Sequence, residues 1–118
     1  MSDSAQAAPI RPKPQEIRGF LHYPGWLTGA EQAGLLEDLR AVVAQAPLFS
    51  PMTPYGKPMS VRMTSAGRFG WVSDRRGYRY SETHPASTPW PAIPESVLAI
   101  WRAVSGSPRS PECCLINY

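Results

Sequence analysis

Residues 59–81 read MSVRMTSAGRFGWVSDRRGYRYS. Met59, Met63, Phe69, Trp71, Tyr78 and Tyr80 share this stretch with Arg62, Arg68, Arg75, Arg76 and Arg79. A buried segment would not carry so many arginines, because each desolvated cation needs a partner. A solvated loop would not carry so many large rings. The stretch therefore reads as a surface that is at once flat, aromatic and cationic. MSVRM alternates, with Met59, Val61 and Met63 on one face and Ser60, Arg62 and Thr64 on the other, as a half-buried strand does. Gly67 and Gly70 bend SAGRFGW, SDRRG is a turn, and YRYS is a short returning strand. Immediately upstream, TPYGKP at 53–58 is another turn with Gly56 supplying conformational freedom. Residues 53–81 are thus expected to form a hairpin-rich flap rather than part of a large sheet.

The charge of the chain is concentrated there. Residues 53–81 hold Lys57 and the five arginines against a single acid, Asp74, whereas the chain as a whole is only +3. The remainder is therefore slightly acidic. A local cluster of this kind attracts phosphate groups through its field and through counterion release. The plainer alternative is a solvated basic face.

Outward from the flap, the 118 residues suffice for one small domain with a modest core. Fourteen prolines, about twice the average usage of roughly 5%, keep regular elements short and loops stiff. Residues 1–16 look like a flexible leader, and the ordered domain is expected over 17–118. IRGFLHYPGWL gives a short extended piece broken at Pro24-Gly25. Thr28 and Glu31 then form a capping-box pattern. Leu35, Leu36, Leu39, Val42 and Val43 follow at helical spacing until Pro47 stops the helix. Pro85, Pro89, Pro91 and Pro94 forbid a helix through the next loop, and Pro94 suits the first position of a second helix. Val97, Leu98, Trp101 and Val104 make its apolar stripe, and Gly106 closes it. CCLINY at 113–118 is a continuous β-prone run. Two helices between short strands make the fold class α+β.

Other classes are disfavoured. The opening residues lack the apolar core of a secretory signal, and no segment approaches the length of a membrane span. Cys113 and Cys114 are neighbours, so on a strand they point to opposite faces and fit neither a disulfide with each other nor a zinc pattern. A reducing, cytoplasmic setting is the simplest expectation. No feature calls for an obligate protein partner.

TPYGKPMSVRMTSAGRFGW, RRGYRYS, PWPAIP and CLIN, in this order and spacing, resemble the N-terminal half of the AlkB proteins. These are iron(II)- and 2-oxoglutarate-dependent dioxygenases that remove alkyl groups from nucleic-acid bases, and the resemblance runs from about Gly19 to Tyr118. It implies a double-stranded β-helix (jelly-roll) enzyme whose N-terminal helices and nucleotide-recognition flap are represented here, with the chain stopping at the first core strand. It also implies roles. Trp71 matches the tryptophan that stacks on a flipped base, Met63 and Tyr78 match pocket residues, and Thr53 matches a hairpin threonine that meets the phosphate backbone. Leu115 and Asn117 match the start of the 2-oxoglutarate signature, while Tyr118 falls one position short of its tyrosine. Arg62, Arg68 and Arg79 receive no individual role and stay general electrostatic candidates. Taken singly, Trp71 and Met63 would more simply be core residues, and Tyr78 a packed ring with its hydroxyl in water.

The catalytic constellation is a different matter. A facial triad needs two histidines and a carboxylate, with the first two ligands in H-x-D. The chain has only His22 and His84, in HYP and HPA, so no catalytic or metal residue is assigned. They read as loop or surface residues. The expected function is the substrate-recognising portion of a DNA-repair dioxygenase, with alkylated and preferentially single-stranded DNA, or RNA, as the partner. Iron(II) and 2-oxoglutarate are implied for the intact enzyme, and neither is expected to bind this chain productively. Marginal folding or association is expected of it alone. The competing expectations are a non-catalytic single-stranded nucleic-acid-binding module and a remnant without function.

Overall fold

The computed structural model describes residues 10–118. The leader expected over 1–16 therefore lies mostly outside the described residues. By internal contacts the chain divides into two units, Met1–Ala33 and Gly34–Tyr118. The boundary falls inside the first helix.

The described part of the first unit holds a small hairpin, β1 (Gln15–Ile17) and β2 (Phe20–His22), paired antiparallel with Ile17 opposite Phe20. Its two-residue turn, Arg18-Gly19, has positive φ at both positions, 51° and 87°, which is what the right-handed twist of a tight hairpin demands. Sequence reading saw a single extended piece, because Arg is an uncommon residue at that conformation. Arg11 is held by a bidentate pair with Glu31 (2.7 and 2.6 Å) and lies 4.0 Å over the Trp26 ring. β1 begins at Gln15.

Helix α1 (Gly29–Gln45) starts as its capping box dictates. The Glu31 amide donates to Thr28 Oγ1 at 3.1 Å, and the Thr28 amide donates to Glu31 Oε1 at 2.9 Å. Within the second unit Val42 and Ala46 are buried and Leu35, Leu39 and Val43 half-buried, but Leu36 faces water. The stripe is thus narrower than its leucines suggested. Helix α2 (Glu95–Val104) begins one residue later than expected: Pro94, with ψ 145°, is its N-cap rather than its first helical residue. Gly106, at φ 66°, follows the C-cap Ser105, and Val104 is exposed. Ser96 Oγ donates to Asp38 Oδ2 at 2.6 Å, tying α2 to α1.

The strands of the second unit form two antiparallel pairs. β3 (Met63–Gly67) pairs with β6 (Cys113–Asn117), Met63 opposite Asn117 and Gly67 opposite Cys113. β4 (Gly70–Asp74) pairs with β5 (Gly77–Ser81), Trp71 opposite Tyr80. The strand expected over 59–63 instead begins at Met63 and runs to Gly67. Its four residues 63–66 are all buried, because β3 is covered on both edges. β6 lies along one edge. On the other, Phe49 exchanges two backbone bonds with Met63, and the Gly67 amide donates to the Pro91 carbonyl. That partner, about fifty positions away in the chain, overrides the local alternation. Within 53–81, β4 and β5 form a hairpin, whereas β3 belongs to the pair that CCLINY completes. Gly67 and Gly70 mark the reversal between β3 and β4, as expected. A side chain at Gly67 (φ 119°) would come within 2.5 Å of the Glu112 carbonyl, and one at Gly70 would enter the Trp90 ring. Trp90, Val72 and Ala46 form the core, with Phe49 packed against them.

Candidate functional site

Alternation on β6 sends Cys113, Leu115 and Asn117 to one face. Across the register the same face of β3 carries Met63, Ser65 and Gly67. A cavity of about 500 Å³ opens beside Met63, Cys113, Leu115 and Asn117 on this face. Met63, Leu115 and Asn117 line it with Cys113 and Val61, and the β4–β5 hairpin contributes Trp71 and Tyr80. Of the six candidates from the sequence, four therefore converge: Met63, Trp71, Leu115 and Asn117. The pairing of β3 with β6 is what brings residues 63 and 117 together.

Tyr78 does not line the cavity. It stacks on Trp71, ring centroids 5.5 Å apart at 22°, and so backs the indole. The two rings are diagonal neighbours on one face of the hairpin, within reach of such a stack. Tyr80, directly opposite Trp71, takes the wall position that sequence reading did not assign. Its signal was present, since Trp71, Tyr78 and Tyr80 share strand parity once the hairpin turn is placed. Thr53 stands apart from the cavity in the turn at 53–58. Its Oγ1 accepts the Lys57 amide at 3.1 Å, and its own amide donates to the Lys57 carbonyl at 2.7 Å.

The cations sort into three kinds. Arg79 makes a bidentate pair with Asp74 at 2.8 and 2.9 Å, and the Arg76 amide donates to Asp74 Oδ1 at 2.9 Å. Arg79, and then that amide, hold the Asp74 carboxyl down at about 2. Arg62 lies 4.7 Å over Tyr118, and Arg68 4.9 Å over Phe69. Lys57, Arg75 and Arg76 form no ion pair among the described residues. The Arg75 guanidinium lies against Gly56, so the hairpin tip and the 53–58 turn present these three cations together.

Burial pushes the Cys113 and Cys114 thiols above their ordinary range, which keeps them protonated and weakly nucleophilic at neutral pH. The Ser65 hydroxyl is fully buried without a well-formed hydrogen bond, yet close enough to Cys113 to temper that rise. Both cysteines are free.

Among the described residues no three His, Cys, Asp or Glu side chains are grouped so as to hold a metal ion. His22, on β2, is exposed. His84 is a buried loop residue rather than a surface one. Its Nε2 lies 2.8 Å from the Pro47 carbonyl and its Nδ1 accepts the Ala86 amide at 3.0 Å, which places the ring proton on Nε2 and leaves no lone pair for a metal. Among the described residues no lysine or arginine lines the cavity to meet the carboxylates of 2-oxoglutarate, and Asn117 is the one amide there. The residues present do not fit an iron triad or a complete cosubstrate site. No described helix is long and apolar enough to cross a membrane.

Residues 19–118 match the family model of the 2OG-Fe(II) oxygenase superfamily. The chain is 43% identical over 102 residues to the alpha-ketoglutarate-dependent dioxygenase AlkB homolog of Caulobacter vibrioides, covering 86% of this chain and 46% of that protein. It is 41% identical over 93 residues to the alpha-ketoglutarate-dependent dioxygenase AlkB of Escherichia coli, covering 75% and 42%. The Salmonella typhimurium protein of the same name is 41% identical over 88 residues, covering 70% and 41%. The chain thus spans under half the length of the curated relatives it matches. It belongs to the 2OG-Fe(II) oxygenase superfamily, as an AlkB-like member.

Proposed function

We propose that this chain is the substrate-recognising portion of a dioxygenase that oxidatively removes alkyl groups from N-alkylated nucleic-acid bases. The observation that carries the reading is the cavity walled by Trp71, Met63, Tyr80 and Leu115 with Tyr78 stacked behind the indole. A base drawn out of its strand needs a flat partner and an apolar, shape-matched wall. Trp71 offers the first, and Met63 and Leu115 the second. The methylated ring of such a base is cationic, so the electron-rich faces of Trp71 and Tyr80 favour it over the unmodified base. Lys57, Arg75 and Arg76 supply attraction to phosphates that is independent of sequence. Thr53, in the same turn as Lys57, is the residue proposed to meet the backbone there. Single strands are the preferred form, because no pairing is lost when the base leaves the stack.

In the complete enzyme iron(II) and 2-oxoglutarate supply the oxidising chemistry, and Leu115 and Asn117 are proposed to border the cosubstrate. This chain's own residues hold and orient the base; turnover is not assigned to them. A second reading, a binding module without chemistry, is favoured by the poor fit of the described residues to iron. Assaying the intact protein, purified from its source cells, for formaldehyde release with iron(II) and 2-oxoglutarate separates the two.

The central test is binding of this chain to a short single strand carrying one N-methylated adenine, followed by fluorescence. Trp71→Ala is expected to weaken it about 5- to 150-fold, the loss of one base–aromatic stack. Unchanged affinity in that variant, with its fold intact by circular dichroism, would overturn the reading.

A further inference from the structure

Next to the cavity just described lies a second hollow of about 440 Å³, lined by Phe69, Tyr80, Glu112 and Cys113. Tyr80 and Cys113 border both. The two hollows therefore adjoin, as two lobes that share a wall. The second lobe has a different chemistry from the first. Its aromatic wall, Phe69, is locked beside its acid: the Phe69 amide donates to the Glu112 carbonyl at 3.1 Å. The Glu112 side chain is exposed and pairs with no cation among the described residues. Arg68, over the Phe69 ring, places a positive charge at the rim.

A free carboxylate is out of place on a surface that binds a polyanion, unless it meets a hydrogen-bond donor. On an unpaired base, the exocyclic amines of cytosine and adenine offer two such hydrogens, whereas thymine and uracil place a carbonyl there and offer only the single N3 hydrogen beside it. We propose that this second lobe receives the nucleobase adjacent to the flipped one. In it, the ring packs against Phe69 and Tyr80, and Glu112 accepts a hydrogen bond from the exocyclic amine. Arg68 is placed for the phosphate that joins the two nucleotides. The chain would then select for sequence context as well as for damage, preferring cytosine or adenine beside the lesion over thymine. This proposal rests on the base-binding reading of the first lobe.

The test compares one N-methylated adenosine monophosphate with dinucleotides in which that nucleotide is flanked, on either side, by cytosine, adenine or thymine. Binding to this chain is followed by fluorescence. The wild-type chain is expected to bind a cytosine- or adenine-flanked dinucleotide about tenfold more tightly than the thymine-flanked one. Glu112→Gln, whose amide serves as donor or acceptor, is expected to erase that preference. Phe69→Ala should remove the gain of dinucleotide over mononucleotide, and both variants should leave mononucleotide binding unchanged. Trp71→Ala should weaken every ligand alike. Trp71-dependent mononucleotide binding without any flanking preference would overturn the second lobe alone. Absence of Trp71-dependent binding to the mononucleotide would overturn the first-lobe reading, and the second with it.

Discussion

At the scale of the residue, the most constrained position is one without a side chain. Gly70 opens β4 with its Cα against the buried Trp90 ring, whose Nε1 donates to the Ser81 carbonyl at 2.8 Å. A methyl group there enters the six-membered part of the indole. The ring cannot retreat without breaking that hydrogen bond and disturbing Val72 and Ala46. Gly70→Ala is expected to destabilise the chain by about 1–3 kcal/mol, seen as a lower urea midpoint. An unchanged midpoint would show that the core has slack at Trp90. Sequence reading took Gly70 for a bend, which it is, but not for a packing contact. Trp71 shows the opposite case: its proposed stacking role is implied by the family resemblance, while the ring behind it needed the register of the hairpin.

At the scale of the element, the β4–β5 hairpin carries the aromatic wall on one face and an ion pair on the other. Asp74 closes its turn by accepting the Arg76 amide and clamps it diagonally through Arg79. Gly77, at φ 96°, completes the turn where a side chain would be strained. The Asp74 carboxyl falls from an ordinary 3.8 to about 2 in the folded chain. On acidification the unfolded chain takes up this proton first. The stabilisation is therefore complete above about pH 4 and lost as pH falls toward 2. Replacing Asp74 with Asn should remove this component, so urea midpoints of the two proteins should converge between pH 4 and 2. Parallel midpoints across that range would show that the pair contributes nothing. The pair itself could not be read from the sequence, since six cations compete for one acid until the register singles out Arg79.

At the scale of the whole molecule, charge and cavity are separate devices. Lys57, Arg75 and Arg76 stand on two turns joined by the contact of Arg75 with Gly56, while the cavity lies between the hairpin and the β3–β6 pair. Attraction to phosphate and recognition of a base should therefore vary independently. The double substitution of Arg75 and Arg76 by Ala is expected to reduce the slope of log affinity against log salt by about 1.4 on a single strand, at about 0.7 per released counterion. Trp71→Ala should leave the slope intact. Equal slopes in wild type and the double variant would place the phosphate contacts elsewhere.

Local structure was legible in the residues alone. Thr28 and Glu31 start α1 because the two side chains that satisfy its free amides lie three residues apart. Gly106 ends α2, and the Asp74–Gly77 turn joins two strands, because short-range sterics and hydrogen bonds leave few alternatives. The family is likewise written in the order of MSVRM, GRFGW, GYRY and CLIN. What only the tertiary structure decided is pairing across distance. β3 starts at Met63 rather than Met59 because β6 and Phe49 claim its backbone, and that pairing is what sets Met63 beside Asn117. Tyr80 rather than Tyr78 faces the cavity because the hairpin register puts it opposite Trp71. Such choices depend on which backbone groups find partners and on which side chains the register sets face to face. Neither exists until the strands have met.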